Sequence, residues 1–348
     1  MVNQFTGTIT SGAITTAGTG ALVAYNNGNN FLNAATLNGT LDMTTAGNAR
    51  ERIINGLTLN GNINVANGGI LSLDNQNTSG SNQTISGNGS INLNDANARL
   101  SIEGGGTTTL GANITVQGQG SIGQALYNGA NNNLVNNGLI YANVNGGTLA
   151  ITNPASGGGS TFTNNGVLEA GLGAMLNIAP LSNFISQGTI EGVGVINGGI
   201  SDSGVILPGT IGTPGNLTIS GNYTQNSGGV FNEQLGATSG LLTINGKADF
   251  NGTLALTALS GLHLSLGENI TIAMISQNLT AGFFRGVTTY TDNWGDQYLL
   301  SAAAGANNVT DLNLTVTSIT AVPVPGGFWL FSSGLLSLLG LRRKPKLA

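Results

Sequence analysis

Short runs of alternating apolar and polar residues recur along most of the chain, with glycine and asparagine between them. Because successive side chains of a strand point to opposite faces, each run predicts a short β-strand with one buried face. Before residue 326 there is no long apolar stripe with helical spacing, so the pattern predicts an all-β fold. The clearest aliphatic pairs are Leu57/Leu59, Leu71/Leu73, Leu100/Ile102, Leu149/Ile151, Leu176/Ile178 and Leu217/Ile219.

Two repeated units predict how these strands are connected. Glycine and asparagine accept a positive φ easily, so each unit predicts a corner between two strands. Coils of strands and corners that stack about 4.8 Å apart form a continuous apolar column, and asparagine amides can bond from coil to coil. The predicted architecture is a right-handed parallel β-helix. The unit Gly-x-Gly-x-Ile occupies residues 87–91, 118–122 and 192–196, and the unit that starts with Asn-Gly or Gln-Gly occupies 137–142, 165–170 and 187–192.

The repeats divide this region into two parts. Residues 1–200 predict the β-helix itself, and residues 201–318 predict a β-rich C-terminal cap. Pro208 and Pro214, each followed by glycine, mark the junction. A cap is needed because an open β-helix end exposes unpaired strand edges. The style of these repeats resembles secreted adhesins and autotransporter passengers.

The residues after 318 follow a different, tripartite pattern: a linker at 319–325, an uncharged apolar segment at 326–341 and a basic tail at 342–348. As a helix, the 16 residues of the apolar segment span about 24 Å, slightly less than the bilayer core of about 30 Å. Aromatic residues at one end and basic residues at the other predict a single transmembrane helix with a cytoplasmic C-terminus. The residues concerned are Val322, Pro323, Val324 and Pro325 in the proline motif, Phe328, Trp329 and Phe331 as membrane anchors, and Arg342, Arg343 and Lys344 as the basic stop.

This tail resembles the PEP-CTERM sorting signal of Gram-negative bacteria. That signal consists of Val-Pro-Glu-Pro, an apolar helix with an early Trp and an Arg-rich end, and here Val324 stands where Glu is usual. The resemblance implies an exosortase-type membrane transpeptidase as partner, cleavage near the proline motif, and a precursor anchored in the inner membrane. The mature form is then expected at the cell surface or in the extracellular matrix. The alternative is a plain anchor in the cytoplasmic membrane, which leaves residues 1 to about 320 in the same compartment.

Export also requires an N-terminal signal peptide. Residues 1–5, Met-Val-Asn-Gln-Phe, form neither a basic segment nor an apolar one. We therefore expect the natural N-terminus to lie upstream of Met1.

The charge distribution excludes some functions. All 14 acidic residues precede residue 312, whereas four of the nine basic residues lie in the tail, so the rest of the chain carries 14 acidic and 5 basic groups, a net charge of −9. An acidic exterior argues against nucleic acid as a partner. The chain has no cysteine, which excludes disulfides and thiolate metal sites.

Two motifs with possible chemistry are better interpreted as structure. Residues 118–123 match the dinucleotide fingerprint Gly-x-Gly-x-x-Gly, but the fingerprint requires a following helix, and the sister copies at 87 and 192 indicate a repeat unit. His263, the only histidine, lies between Leu262 and Leu264 in a strand-like run. Catalysis would require a serine and an acid near it. We predict no cofactor and no catalytic residue.

The acidic residues are scattered singly along the sequence, but two of them occupy equivalent repeat positions. Glu169 and Glu191 are predicted to stack on one face, with like-charge repulsion unless a cation intervenes, and a solvated face is the favoured interpretation. Residues 292–296, Asp-Asn-Trp-Gly-Asp, have the oxygen density of a Ca²⁺ loop but not the spacing of an EF-hand. We interpret them as an Asx-Gly turn between strands, and predict no metal site.

Together these features predict an exported, non-enzymatic, structural or adhesin-like protein that associates with exopolysaccharide through many weak hydrogen bonds. One alternative is a polysaccharide lyase or hydrolase on the same scaffold, which a groove with two or more converging carboxylates and an arginine would favour. Another is an ice-binding type of surface protein, although Thr107, Thr108 and Thr109 form no regular threonine ladder.

Overall fold

A computed structural model describes residues 2–4, 6–76, 81–154, 159–277, 279, 283–304 and 309–320. Within these residues the strands all join one hydrogen-bonded sheet, and the one other element is a short 3₁₀ segment at Phe283–Gly286. In chain order the strands are β1 (Val2–Gln4), β2 (Gly7–Thr10), β3 (Ala13–Thr15), β4 (Leu22–Ala24), β5 (Asn30–Asn38), β6 (Thr40–Met43), β7 (Arg50–Leu59), β8 (Asn62–Val65), β9 (Ile70–Asp74), β10 (Asn82–Gly87), β11 (Gly89–Glu103), β12 (Gly106–Leu110), β13 (Ile114–Gly123), β14 (Asn132–Asn136), β15 (Leu139–Ala142), β16 (Thr148–Ile151), β17 (Phe162–Asn164), β18 (Val167–Ala170), β19 (Met175–Asn177), β20 (Phe184–Ser186), β21 (Thr189–Gly192), β22 (Val195–Asn197), β23 (Ile200–Asp202), β24 (Val205–Thr210), β25 (Thr213–Pro214), β26 (Asn216–Ser220), β27 (Tyr223–Gln225), β28 (Val230–Leu235), β29 (Leu241–Ile244), β30 (Ala248–Phe250), β31 (Thr253–Ala258), β32 (Asn269–Ile275), β33 (Thr289–Thr291), β34 (Gln297–Ala304) and β35 (Thr310–Ser318).

Parallel pairing arranges the strands in three columns, so the chain forms a parallel β-solenoid of about 10 turns. Column 1 contains β1, β4, β6, β8, the first parts of β11 and β13, β15, β18, β21, β24, β28 and β31. Column 2 contains β2, the first parts of β5 and β7, β9, the second parts of β11 and β13, β16, β19, β22, β26, β29 and β32. Column 3 contains β3, the second parts of β5 and β7, β10, β12, β14, β17, β20, β23, β27 and β30.

The apolar core runs through the middle of the solenoid. Inward-facing aliphatic residues of neighbouring turns pair in register and are fully buried, as the alternation in sequence predicts. Each such side chain contributes roughly 1.5–3 kcal/mol through burial. In column 1 this stack consists of Ile63, Ile91, Val116, Ile140, Leu168, Ile190 and Ile206.

The corner between columns 3 and 1 explains the repeated Asn-Gly and Gln-Gly units. Gly138, Gly166, Gly188 and Gly204 follow one another there in successive turns, and a Cβ at any of the last three would overlap the carbonyl oxygen of the glycine one turn earlier. Beside these glycines, buried asparagine amides form hydrogen bonds from turn to turn. Asn136 Nδ2 donates to Asn164 Oδ1 at 2.8 Å. The predicted stacking of asparagine is confirmed at this corner.

The C-terminal end of the solenoid is covered by antiparallel strands. β32, the last strand of column 2, pairs in parallel with β29 and in antiparallel with β35, which continues to β34 and β33. Phe231, Phe250 and Phe284 pack together in the interior below this cover, with ring centroids 4.9–6.3 Å apart. Parallel stacking continues well past residue 200, as far as β32.

The predicted fold class is wrong in one respect, the single C-terminal transmembrane helix. No helix in the part of the chain that the structure describes is long and apolar enough to cross a membrane. The physical reason within that part is that glycine and asparagine corners recur between strands of 2 to 15 residues, and the 3₁₀ segment has only four residues. The predicted helix at 326–341 lies outside the described residues. The corrected fold class is an all-β parallel solenoid closed by antiparallel strands.

Candidate functional site

The predicted sorting signal lies outside the described residues, and its assignment stays a prediction. This applies to the proline motif, the aromatic anchors and the basic stop alike. The residues are Val322, Pro323, Val324, Pro325, Phe328, Trp329, Phe331, Arg342, Arg343 and Lys344.

A continuous row of polar side chains covers the outer face of column 1. We call it the outer row, and each member alternates along its strand with a buried aliphatic residue of the core. All of its members are half-buried, because the same position in the next turn covers part of each one. In register, turn by turn, the outer row consists of Asp42, Asn64, Asn92, Gln117, Tyr141, Glu169 and Glu191.

The first part of the outer row is a chain of amide hydrogen bonds. Asn92 Nδ2 donates to Asn64 Oδ1 at 2.8 Å, and Gln117 Nε2 donates to Asn92 Oδ1 at 2.9 Å. Asn143, at the neighbouring corner, donates to Gln117 Oε1 at 3.2 Å. These bonds hold the amides in fixed orientations, which makes this part of the surface rigid.

The second part of the outer row brings two carboxyl groups together. Glu169 and Glu191 pair in register on adjacent strands, which confirms the predicted stacking of these repeat positions. Burial raises the pKa of Glu169, while burial and the charge of Glu169 together raise the pKa of Glu191 to about 7. Near neutral pH the pair therefore offers both a protonated carboxyl donor and carboxylate acceptors. Tyr141 places an aromatic ring on the adjacent turn.

A shallow groove of about 510 Å³ adjoins the outer row. Its walls combine apolar side chains with threonine hydroxyl groups, including Leu172, Met175, Val193 and Thr218. The ring of Tyr141 lies near its edge, since a Cβ on Gly171, which precedes the lining residue Leu172, would lie 3.1 Å from the Tyr141 hydroxyl. The neighbouring Leu172 is 75 % exposed. The tyrosine thus lies next to the groove, whereas Glu169 and Glu191 are not among the residues that line it.

A second candidate is a cluster of charged residues on the outer face of column 2, which we call the charged cluster. It consists of Arg50, Arg52, Asp74 and Glu103. Asp74 and Glu103 are direct neighbours in adjacent turns and are fully buried. Arg52 Nε donates to Asp74 Oδ2 at 2.9 Å, and Arg50 Nη2 lies 3.8 Å from Glu103 Oε2. The sequence-based view that the acidic residues are scattered is therefore wrong for this pair.

The connection after β13 covers the charged cluster. The side-chain amide of Asn128 donates to Asp74 at 2.8 Å, and its backbone N–H donates to Glu103 at 3.2 Å. The guanidinium carbon of Arg50 lies 3.2 Å from the ring centroid of Tyr127. These contacts close both carboxylates off from solvent and tie the connection to the solenoid.

The charged cluster is not predicted from the sequence. The one signal for it is the run of three consecutive charged residues, Arg50, Glu51 and Arg52, in a chain with 7 % charged residues. Its acidic partners lie 22 residues or more away, at positions that only the register of the turns brings together.

The fingerprint-like glycines have a structural role. Residues 118–123 lie within β13, and a Cβ at Gly118 or Gly120 would overlap backbone carbonyl oxygens of the preceding turn. His263 differs from its prediction, because it is an exposed residue of the connection between β31 and β32 and not part of a strand.

In the acidic turn at 292–296, the carboxylate oxygens of Asp292 accept hydrogen bonds from neighbouring residues of the chain. Asp292 Oδ1 accepts from the backbone N–H groups of Trp294 and Asp296, at 2.9 and 3.0 Å, and Asp292 Oδ2 accepts from the Tyr298 hydroxyl at 2.7 Å. The segment connects β33 and β34, so its interpretation as an Asx turn between strands is confirmed.

The protein is classified by its fold. No protein-family model matches the chain, and no curated protein matches it. The structure defines the class of protein as a β-solenoid, which includes enzymes as well as non-enzymes. Among the described residues no group of three or more His, Cys, Asp or Glu side chains is placed to hold a metal ion.

Proposed function

We propose that the protein is an exported, non-enzymatic structural or adhesive component of the cell surface or extracellular matrix. In this role it contacts exopolysaccharide through the outer row and the adjoining groove. The observation that carries this proposal is the in-register row of fixed amides, a tyrosine ring and a carboxyl pair.

The spacing and chemistry of this surface support a polysaccharide ligand. Neighbouring turns lie about 4.8 Å apart, close to the length of one sugar unit in an extended glycan. Amides and carboxyl groups pair with sugar hydroxyls, and an aromatic ring packs against the apolar face of a sugar ring. Many weak contacts in one row add up through multivalency. The net charge of −9 before the tail favours neutral glycans over acidic ones.

Delivery to the surface rests on the sorting-like tail. Its support is the order of the three elements, the proline motif, the apolar segment and the basic end. The test is the intact mass of the mature protein from its native host, combined with cell fractionation. Loss of the residues after about Pro325 together with a surface location is the expected result. A full-length protein retained in the inner membrane would contradict sorting.

Glycan binding is tested by affinity electrophoresis in gels that contain dextran or xyloglucan. We expect retardation of the wild-type chain, and about tenfold weaker binding for Tyr141→Ala, because the central aromatic contact is lost. Trp294→Ala, which removes an exposed aromatic residue far along the chain, is the matched control and should bind normally. Equal binding by wild type and Tyr141→Ala, or no retardation in either gel, argues against this surface as the binding site.

A second candidate function is cleavage of a polysaccharide, and the charged cluster favours it. Two carboxylates with two arginines in adjacent turns are groups that a lyase or hydrolase uses, and here the connection at 126–128 covers them. Release of reducing ends or unsaturated products by the wild type, but not by Glu103→Gln, would support the enzyme. Product release that Glu103→Gln leaves unchanged would exclude this cluster.

A further inference from the structure

Three buried polar side chains at the N-terminal end of the solenoid have oxygen atoms without hydrogen-bond donors. Gln4 in β1, Asn30 in β5 and Glu51 in β7 are 7 %, 0 % and 0 % exposed. Among the described residues, Gln4 Oε1 and Asn30 Oδ1 accept no hydrogen bond, and the Glu51 carboxylate interacts only with the Gln4 side chain, outside normal hydrogen-bond geometry. Buried acceptors of this kind are unfavourable unless a proton or a cation satisfies them.

The three residues lie close together in adjacent strands, and the Gln4 side chain reaches the Glu51 carboxylate. Asn30 Nδ2 donates to the backbone oxygens of Gln4 and Arg50, at 3.3 and 3.2 Å, and Arg50 directly precedes Glu51. Gln4 Nε2 donates to the backbone oxygen of Gly7 at 3.0 Å, and Gly7 is the partner of Asn30 in the next turn. The Asn30 amide is therefore engaged by backbone carbonyls, and the Gln4 amide by Gly7 and the Glu51 carboxylate, which leaves Gln4 Oε1 and Asn30 Oδ1 without a donor.

Among the described residues, no opposite charge faces Glu51 on its own side of the strand. Its partner in the next turn is Leu71, and the position before it in β5 is the neutral Asn30. Arg50 and Arg52 lie on the outer face, against Glu103 and Asp74. Burial raises the pKa of Glu51 to about 8, an effect that the nearby Gln4 amide opposes.

We infer that Gln4, Asn30 and Glu51 bind one monovalent metal cation, Na⁺ or K⁺, in the N-terminal turns of the solenoid. Carboxylate and amide oxygens are the ligands that hard cations select. A single carboxylate neutralises a monovalent ion, whereas a divalent ion would leave an uncompensated buried charge. A surface cavity of about 330 Å³, lined by Gln4, Thr6 and Thr8 among others, lies at this end of the solenoid.

The test measures thermal unfolding of the whole chain in NaCl, KCl and tetramethylammonium chloride at equal ionic strength. Tetramethylammonium is too large for the site, so we expect a Tm about 2 to 4 °C higher in NaCl or KCl. Glu51→Gln should remove this difference. Glu233→Gln is the matched control and should retain it, because Glu233 is also fully buried with unbonded carboxylate oxygens but lies in β28, far along the solenoid.

A second measurement uses the wild-type chain, so it does not depend on whether Glu51→Gln folds. Crystals of the wild-type chain soaked in RbCl should show an anomalous-scattering peak within coordination distance of Glu51, since Rb⁺ substitutes for K⁺. Equal Tm values in the three salts together with no such peak would overturn the cation site. The oxygens would then be satisfied by a proton on Glu51. An ion effect that persists in a folded Glu51→Gln protein would overturn it as well.

Discussion

At the scale of single residues, Asp74 is a buried carboxylate that depends on several charged and polar partners. It is fully buried, pairs with Arg52, and accepts from Asn128 and from the backbone N–H of Gln76. Asp74→Asn leaves the Arg52 guanidinium without a counter-charge, so we expect a loss of about 3–5 kcal/mol in the free energy of unfolding. Urea denaturation measures this loss. Asp249→Asn, at a partly exposed position of β30, is the control and should change stability by about 0.5 kcal/mol or less.

The raised pKa of Glu191 predicts that the stability of the protein depends on pH. Its pKa is raised from 4.5 to about 7, so between these values the folded protein binds more protons than the unfolded chain. The stabilising contribution of the neutral carboxyl is present below about pH 4.5 and is lost as the pH rises through about 7. We therefore expect the urea midpoint to fall from pH 5 to pH 7.5, and to fall less in Glu191→Gln. The exposed Glu268→Gln should keep the wild-type slope, and identical slopes in all three proteins would refute the assignment.

At the scale of strands and corners, the stacked glycines allow a sharp test. A Cβ at Gly166 would overlap the carbonyl oxygen of Gly138, so one turn would have to move away from the next. We expect Gly166→Ala to destabilise the protein by about 1–3 kcal/mol. Gly47 is the matched control, because a Cβ there meets nothing within 4 Å. Comparable stability losses in Gly166→Ala and Gly47→Ala, measured by urea denaturation, would show that crowding is not the cause.

The strands and corners also show which parts of the fold can be predicted from the sequence. Alternating aliphatics and Gly-containing corners predict the strands and the parallel stacking because both depend on local chemistry. Glu169 and Glu191 were predictable as neighbours because they lie in similar repeat units. The contact of Arg52 with Asp74 was not, since it depends on the length of the intervening turn. That length varies from 16 residues, between the paired Thr189 and Val205, to 31, between the paired Leu242 and Ala273.

At the scale of the whole molecule, the aromatic cluster near the C-terminal cover stabilises that end of the solenoid. Phe284 is 1 % exposed and packs between Phe250 and Phe231. Phe284→Ala should lose about 3–5 kcal/mol, and the loss should be local because each turn contacts only its neighbours. Hydrogen exchange should then accelerate in β28 to β31 and stay unchanged in β14 to β18. Uniform acceleration along the chain would contradict this local response.

The hydrogen bonds between successive turns have a mechanical consequence. They run along the axis of the stack, so a force that separates its two ends loads one turn at a time and does not shear all strands together. Each turn that detaches releases 16 to 31 residues, which is about 55 to 110 Å of extended chain. Under tension the protein would lengthen in discrete steps, and each step would dissipate work before the next turn is loaded.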